Sequence, residues 1–163
     1  MKRILCFAAA AIAAGLLDWL PDSRGDVGGL LPVQTLVLSL EDGRLLLEGG
    51  EDLRGTGRTW NEAMEDLCAT APGDAFFGTT GQIVLVEGSE ALLPEVLGDD
   101  RLRPAARVYA GRGGVEPEGA TAFLEAQKGG ITLQALQAAA LEGRNVPLEQ
   151  LVCEDGRYRL HEG

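Results

Sequence analysis

The sequence predicts one α/β (α+β) domain over residues 33–163: a mixed β-sheet with packed helices, plus short hairpins. Three observations carry this. Strand-like and helix-like patterns alternate through the middle of the chain, as they do when helices pack on a sheet. Ile83-Val84-Leu85-Val86 is an unbroken apolar run between turn signals, which fits a central strand buried on both faces. Glu-Asp-Gly-Arg occurs at 41–44 and again at 154–157, each time between strand-like segments. Asp-Gly suits a two-residue hairpin turn because both positions accept positive φ.

Taken in order, Lys2 and Arg3 precede an uncharged apolar stretch from Ile4 to Leu17. A short basic region before such a stretch is the pattern of a secretory signal, with Ala11 and Ala13 offering an A-x-A cleavage site. The stretch is shorter than the roughly 20 residues a helix needs to cross a bilayer. Residues 1–17 are therefore expected to be a signal peptide or membrane anchor. Pro21, Gly25, Gly28, Gly29 and Pro32 make 18–32 a linker. The Arg24-Gly25-Asp26 triplet within it matches a cell-adhesion tripeptide, but three-residue matches arise too often by chance to argue function.

Val33–Leu40 reads as a strand, Asp42-Gly43 as its turn and Arg44–Glu48 as the returning strand. Gly49–Arg58 reads as a glycine-rich charged loop. Thr59 then caps a helix with Trp60, Met64, Leu67 and Cys68 on one face, and Glu62 completes a capping-box pattern. Gln82–Val86 follows as the central strand. Ser89–Leu97 is a helix that Pro94 divides, so that it begins at Pro94. Ala105–Ala110 is a strand, Gly111–Gly119 a loop, and Phe123-Leu124 belongs to a short helix. Thr132 caps an amphipathic helix with Leu133, Leu136, Ala140 and Leu141 on one face, ended by Gly143. The second Asp-Gly hairpin closes the domain.

Composition narrows the function classes. The 163 residues are 45% hydrophobic, which excludes a disordered tail, and 5% aromatic, so the core is aliphatic. A net charge of −11 repels phosphate backbones, and no nucleic-acid partner is expected. The single histidine, His161, excludes chemistry that needs two imidazoles. Gly111-Arg112-Gly113-Gly114 lacks both the dinucleotide spacing and a Gly-Lys-Ser/Thr ending, and Glu116 and Glu118 would repel a phosphate. The acidic pairs Glu51-Asp52, Asp99-Asp100 and Glu154-Asp155 adjoin predicted turns, where solvated charge is the default over glycosidase or calcium work. Ser23, Ser39 and Ser89 are the only serines, and none stands in a Gly-x-Ser-x-Gly setting. Spacing leaves open both a Cys68–Cys153 disulfide and two free thiols. No catalytic, cofactor-binding or metal residue is assigned, and no enzyme is expected.

Several stretches also carry a likeness. Arg24-Gly25-Asp26-Val27 precedes Leu36–Gly43; Thr59–Leu67 holds an E-A-x-x-x-L helix; Phe76-Phe77-Gly78 leads to Ile83–Gly88. Leu97–Arg103 then joins Val108–Gly111, and Val146-Pro147-Leu148 is followed by Gly156–Leu160. In this order they resemble the N-terminal domain of the Ger(x)C spore-germination proteins, the C subunits of nutrient germinant receptors. The resemblance covers about residues 24–160. It implies a non-enzymatic, extracytoplasmic protein associated with the membrane surface, at the spore inner membrane. Its partners would be the integral-membrane A and B receptor subunits. Members of that family are typically lipoproteins, whereas no cysteine follows a small residue at the end of this apolar run. The family also continues into further domains, so the resemblance implies a truncated or divergent member. The rival expectations are a small exported module that binds a ligand or the cell wall, and a hydrolase using an acidic pair.

Overall fold

The computed structural model describes residues 29–50 and 52–161, so the expected signal segment and most of the expected linker lie outside the described residues. The elements are β1 (Leu30–Pro32), β2 (Thr35–Glu41), β3 (Arg44–Gly50), β4 (Leu53–Gly57), α1 (Trp60–Thr70), β5 (Asp74–Phe76), β6 (Gln82–Val86), α2 (Leu93–Leu97), β7 (Arg107–Gly113), α3 (Pro117–Leu124), β8 (Ile131–Thr132), α4 (Leu133–Leu141), β9 (Gln150–Glu154) and β10 (Arg157–His161). This is the mixed α+β architecture expected. The main sheet runs β10-β9-β7-β6-β2-β3-β4, and β8 pairs with the start of β7. Its four central strands, β9, β7, β6 and β2, are mutually parallel. An antiparallel hairpin partner flanks them at each end.

Alternation along the strands explains the two cores. Leu36, Leu38, Ile83, Leu85 and Val108 point to one face, where Trp60, Ala63, Met64 and Leu67 of α1, Val96 of α2, and Leu133 and Leu136 of α4 meet them. Val37, Val84, Tyr109 and Leu151 point to the other, covered by Ala120 and Leu124 of α3. The Ile83–Leu85 segment is fully buried on both faces, as its unbroken apolar pattern predicts. Each such side chain contributes roughly 1.5–3 kcal/mol of burial.

Both Asp-Gly turns take left-handed backbone, with φ of 50° and 76° at Asp42 and Gly43, and 49° and 71° at Asp155 and Gly156. Thr59 Oγ1 accepts the Glu62 amide at 3.3 Å and so caps α1. The return contact of the box is displaced by one residue: Glu62 Oε2 accepts from the Arg58 amide, at 2.8 Å.

Four expectations are corrected. Leu30–Pro32, assigned to the linker, is a strand paired with β5. Gly49–Arg58 is not a loop, because its second half is β4. Gly55 and Gly57 stand there because α1 lies directly on them: a Cβ at Gly55 would fall on the Ala63 carbonyl and Leu67 amide, and one at Gly57 would meet Glu62 and Ala63. Gly111–Gly119 is likewise not a loop; β7 continues to Gly113 and α3 starts at Pro117. Finally, α1 buries Ala63 instead of Cys68, and α4 buries Ala139 while Ala140 and Leu141 face outward.

Candidate functional site

Two helices on the same face leave a furrow between them. Pro94 stands in the first turn of α2, where a missing amide costs nothing, and α2 ends after little more than a turn. Thr132 Oγ1 accepts the Ala135 amide at 3.2 Å to start α4, and Gly143, at φ 68°, turns the chain away at its end. Gln137 Nε2 donates to the Leu97 carbonyl at 2.6 Å and ties the two helices together. Between them lies an open, mainly apolar groove of about 630 Å³, with Leu93, Leu97, Leu136, Ala140, Leu141 and Val146 in its lining. Leu141 on its rim is 90% exposed, an unusual position for a leucine on the apolar side of a helix. Arg144, also in the lining, is paired with Glu142 at 2.6 Å.

A second, polar cleft lies beside Trp60. The Trp60 indole donates to Asp99 Oδ2 at 2.6 Å, and Arg101 Nε donates to Asp99 Oδ1 at 2.9 Å. The Arg101 amide donates to the same Oδ1, also at 2.9 Å. Burial pushes the Asp99 carboxyl up, but these donors from Arg101 and Trp60 outweigh it and hold the group below the usual aspartate range. Glu95 Oε2 accepts the Trp60 amide at 3.2 Å, placing a carboxylate at the N-terminus of α1. Every acceptor here has a structural task. Asp99 fastens Trp60 to the link between α2 and β7, and Asp100 beside it is exposed.

The carboxyl ends of β6 and β7 provide a third place to look. The chain leaves β6 for α2 on one face and β7 for α3 on the other, the arrangement at which open α/β sheets hold ligands. Here that point is spanned by an exposed ion pair, Arg112 Nε to Glu87 Oε1 at 2.7 Å.

The remaining sequence candidates do not converge. Gly111 and Gly113 are inside β7, where a Cβ at Gly111 would press on Val84 Cγ1 at 2.7 Å, so they serve strand packing and not a phosphate loop. Asp155 is at the second hairpin turn; Asp52 is exposed, and its neighbour Glu51 lies outside the described residues. Ser89 Oγ is buried, within hydrogen-bond distance of the Leu38 carbonyl at 3.0 Å and the Val86 carbonyl at 2.6 Å, and Ser23 lies outside the described residues. Cys68 is free and exposed on α1, and Cys153 is free on the opposite face of the sheet. Neither reaches the other, and His161 is on β10, at the far end of the sheet from β4. Among the described residues no buried side-chain nitrogen or oxygen lacks a partner, and no three metal-binding side chains gather. No described helix is long and apolar enough to cross a membrane.

Sequence reasoning missed the groove because it assigned Ala140 and Leu141 to the core. The spacing of Leu133, Leu136, Ala140 and Leu141, i, i+3, i+7 and i+8, is that of one ordinary packed face, and nothing in it marks the last two as exposed. No protein-family model, curated protein or solved structure matches this chain.

Proposed function

We propose that this chain is an exported, membrane-associated subunit of a nutrient germinant receptor-like complex. It acts by protein–protein contact with integral-membrane A and B subunits and carries out no catalysis. The observation that carries the reading is the apolar groove with Leu141 on its rim, a surface suited to an apolar segment of a partner. The segments that carry the likeness to the Ger(x)C N-terminal domain fall in regular elements. Thr59–Leu67 forms most of α1, Ile83–Gly88 covers β6 and its turn, and Val108–Gly111 lies in β7, three neighbouring parts of one core. The Leu97–Arg103 segment supplies the Asp99–Arg101 clasp on Trp60.

A small-ligand module is the second reading, because the groove volume lies within the roughly 300–1,000 Å³ of small-molecule sites. Co-purification separates the two. Full-length tagged chain, co-expressed with A and B subunits and recovered from detergent-solubilised membranes, is expected to bring both subunits with it. Leu141→Asp, at an exposed position, should leave the fold intact and reduce their recovery at least about tenfold, the effect of roughly 1.4 kcal/mol. Recovery of the chain in the soluble cytoplasmic fraction of sporulating cells would contradict the proposal. Membrane association with no subunit bound would favour the ligand module.

A further inference from the structure

The two outer strands of the main sheet end in opposite ways. On β4, α1 meets two of the outward-facing groups: the Thr56 amide donates to Asp66 Oδ2 at 2.7 Å, and Thr70 Oγ1 lies 2.8 Å from the Arg54 carbonyl as its donor. On β10, the Asp-Gly turn makes Glu154–Arg157 the first hydrogen-bonded pair, so Arg157, Arg159 and His161 bond to β9. The amides and carbonyls of Tyr158 and Leu160 therefore point away from the sheet, and among the described residues nothing meets them.

The side chains on this edge are sorted by chemistry. Tyr158 and Leu160 lie on the α3 face, where the Tyr158 ring stacks on Phe123 with centroids 5.9 Å apart. Arg157, Arg159 and His161 lie on the opposite face and are exposed. Glu154 stands across from Arg157, but Arg159 faces Val152, and neither arginine is in an ion pair among the described residues. The chain carries a net charge of −11, yet this five-residue strand has no acid.

We propose that the β10 edge accepts one more strand from a partner protein: an extended segment with acidic side chains at alternate positions. Its main chain would bond to Tyr158 and Leu160, its carboxylates would lie beside Arg157 and Arg159, and its other side chains would extend the apolar patch of Phe123 and Tyr158. A second copy fits poorly. Two-fold pairing through Tyr158 and Leu160 would set Arg159 directly against Arg159 of the other copy, and like charges in that position repel. Charge on an edge strand excludes wrong partners, and the same charge selects an oppositely charged one. This edge is separate from the α2–α4 groove and does not depend on the receptor reading.

The test uses the full chain and two synthetic peptides, one alternating glutamate and valine and the other alternating lysine and valine. Binding is followed by NMR of the backbone amides. The glutamate peptide should bind, shift the Tyr158 and Leu160 amides and slow their exchange with solvent, more strongly at low salt. Arg157→Glu combined with Arg159→Glu, both at exposed positions, should weaken that binding at least about tenfold and favour the lysine peptide. Leu160→Pro, which removes an outward amide that β9 does not use, should abolish it. Equal binding of both peptides, no binding of either at millimolar concentration, or shifts confined to α2 and α4 would each overturn the proposal. A dimer in sedimentation that Leu160→Pro dissociates would assign the edge to a second copy and overturn it as well.

Discussion

The β4 and β10 ends of the sheet show how differently one chain treats two edges. At the β4 end the helix is laid against the strand so closely that only glycine fits at 55 and 57, and helix side chains then meet the strand's outward Thr56 amide and Arg54 carbonyl. At the β10 end a hairpin of similar length stops with its outward groups open and arginines on one face. The first arrangement spends sequence on closure: two glycines, Asp66, Thr70, and the Asp99 clasp that holds the start of α1. The second spends none. An edge left in this condition suits strand addition, and its charge limits what can be added.

The comparison is broken most severely by forcing α1 off β4. Gly55→Val places a branched side chain against the Ala63 carbonyl and Leu67 amide, backbone atoms that cannot yield. A loss of about 3 kcal/mol or more is expected, measured as a lower urea midpoint with little change in slope. Asp99→Asn strikes the same end through the Trp60 clasp. It should cost about 2 kcal/mol at neutral pH, as a charged acceptor with several donors is replaced by a neutral one. Because the folded-state pKa of Asp99 is lowered, its stabilisation is complete above the ordinary aspartate value and fades as pH falls through the folded value. The gap between wild type and Asp99→Asn should therefore narrow in acid unfolding series below about pH 4. Glu48 works in the opposite sense: burial, then repulsion from Glu41, Glu116 and Glu118, outweigh Arg54 and raise its pKa, so its ionisation weakens the fold as pH rises through that value. The smallest effect is expected for Asp66→Ala. Water can replace the lost acceptor at this rim, so stability should drop by less than about 1 kcal/mol, while hydrogen exchange at the Thr56 amide accelerates.

How much of this was legible depended on whether the cause was local. Both hairpins could be read because Asp-Gly selects its own turn, and the helix caps at Thr59 and Thr132 because a hydroxyl needs only the amide three residues on. The Ile83–Val86 strand could be read because burial on both faces removes polar positions. What failed had tertiary causes. Gly55 and Gly57 resemble loop punctuation until the helix above them is known. Gly119 sits inside α3 because the Tyr158 hydroxyl occupies the space its side chain would need, and Tyr158 lies far along the sequence. The exposure of Ala140 and Leu141 depends on how far α2 extends, and so the groove was invisible in a periodicity that only says which residues share a side.

Hydrogen exchange of the free protein at single-amide resolution tests the asymmetry of the two ends most directly. Thr56 should exchange slowly for a strand at the margin, and Tyr158 and Leu160 rapidly, while Arg157 and Arg159, which alternate with them, are protected by β9. Slow exchange at Tyr158 and Leu160 in the isolated chain, or rapid exchange at Thr56, would contradict it.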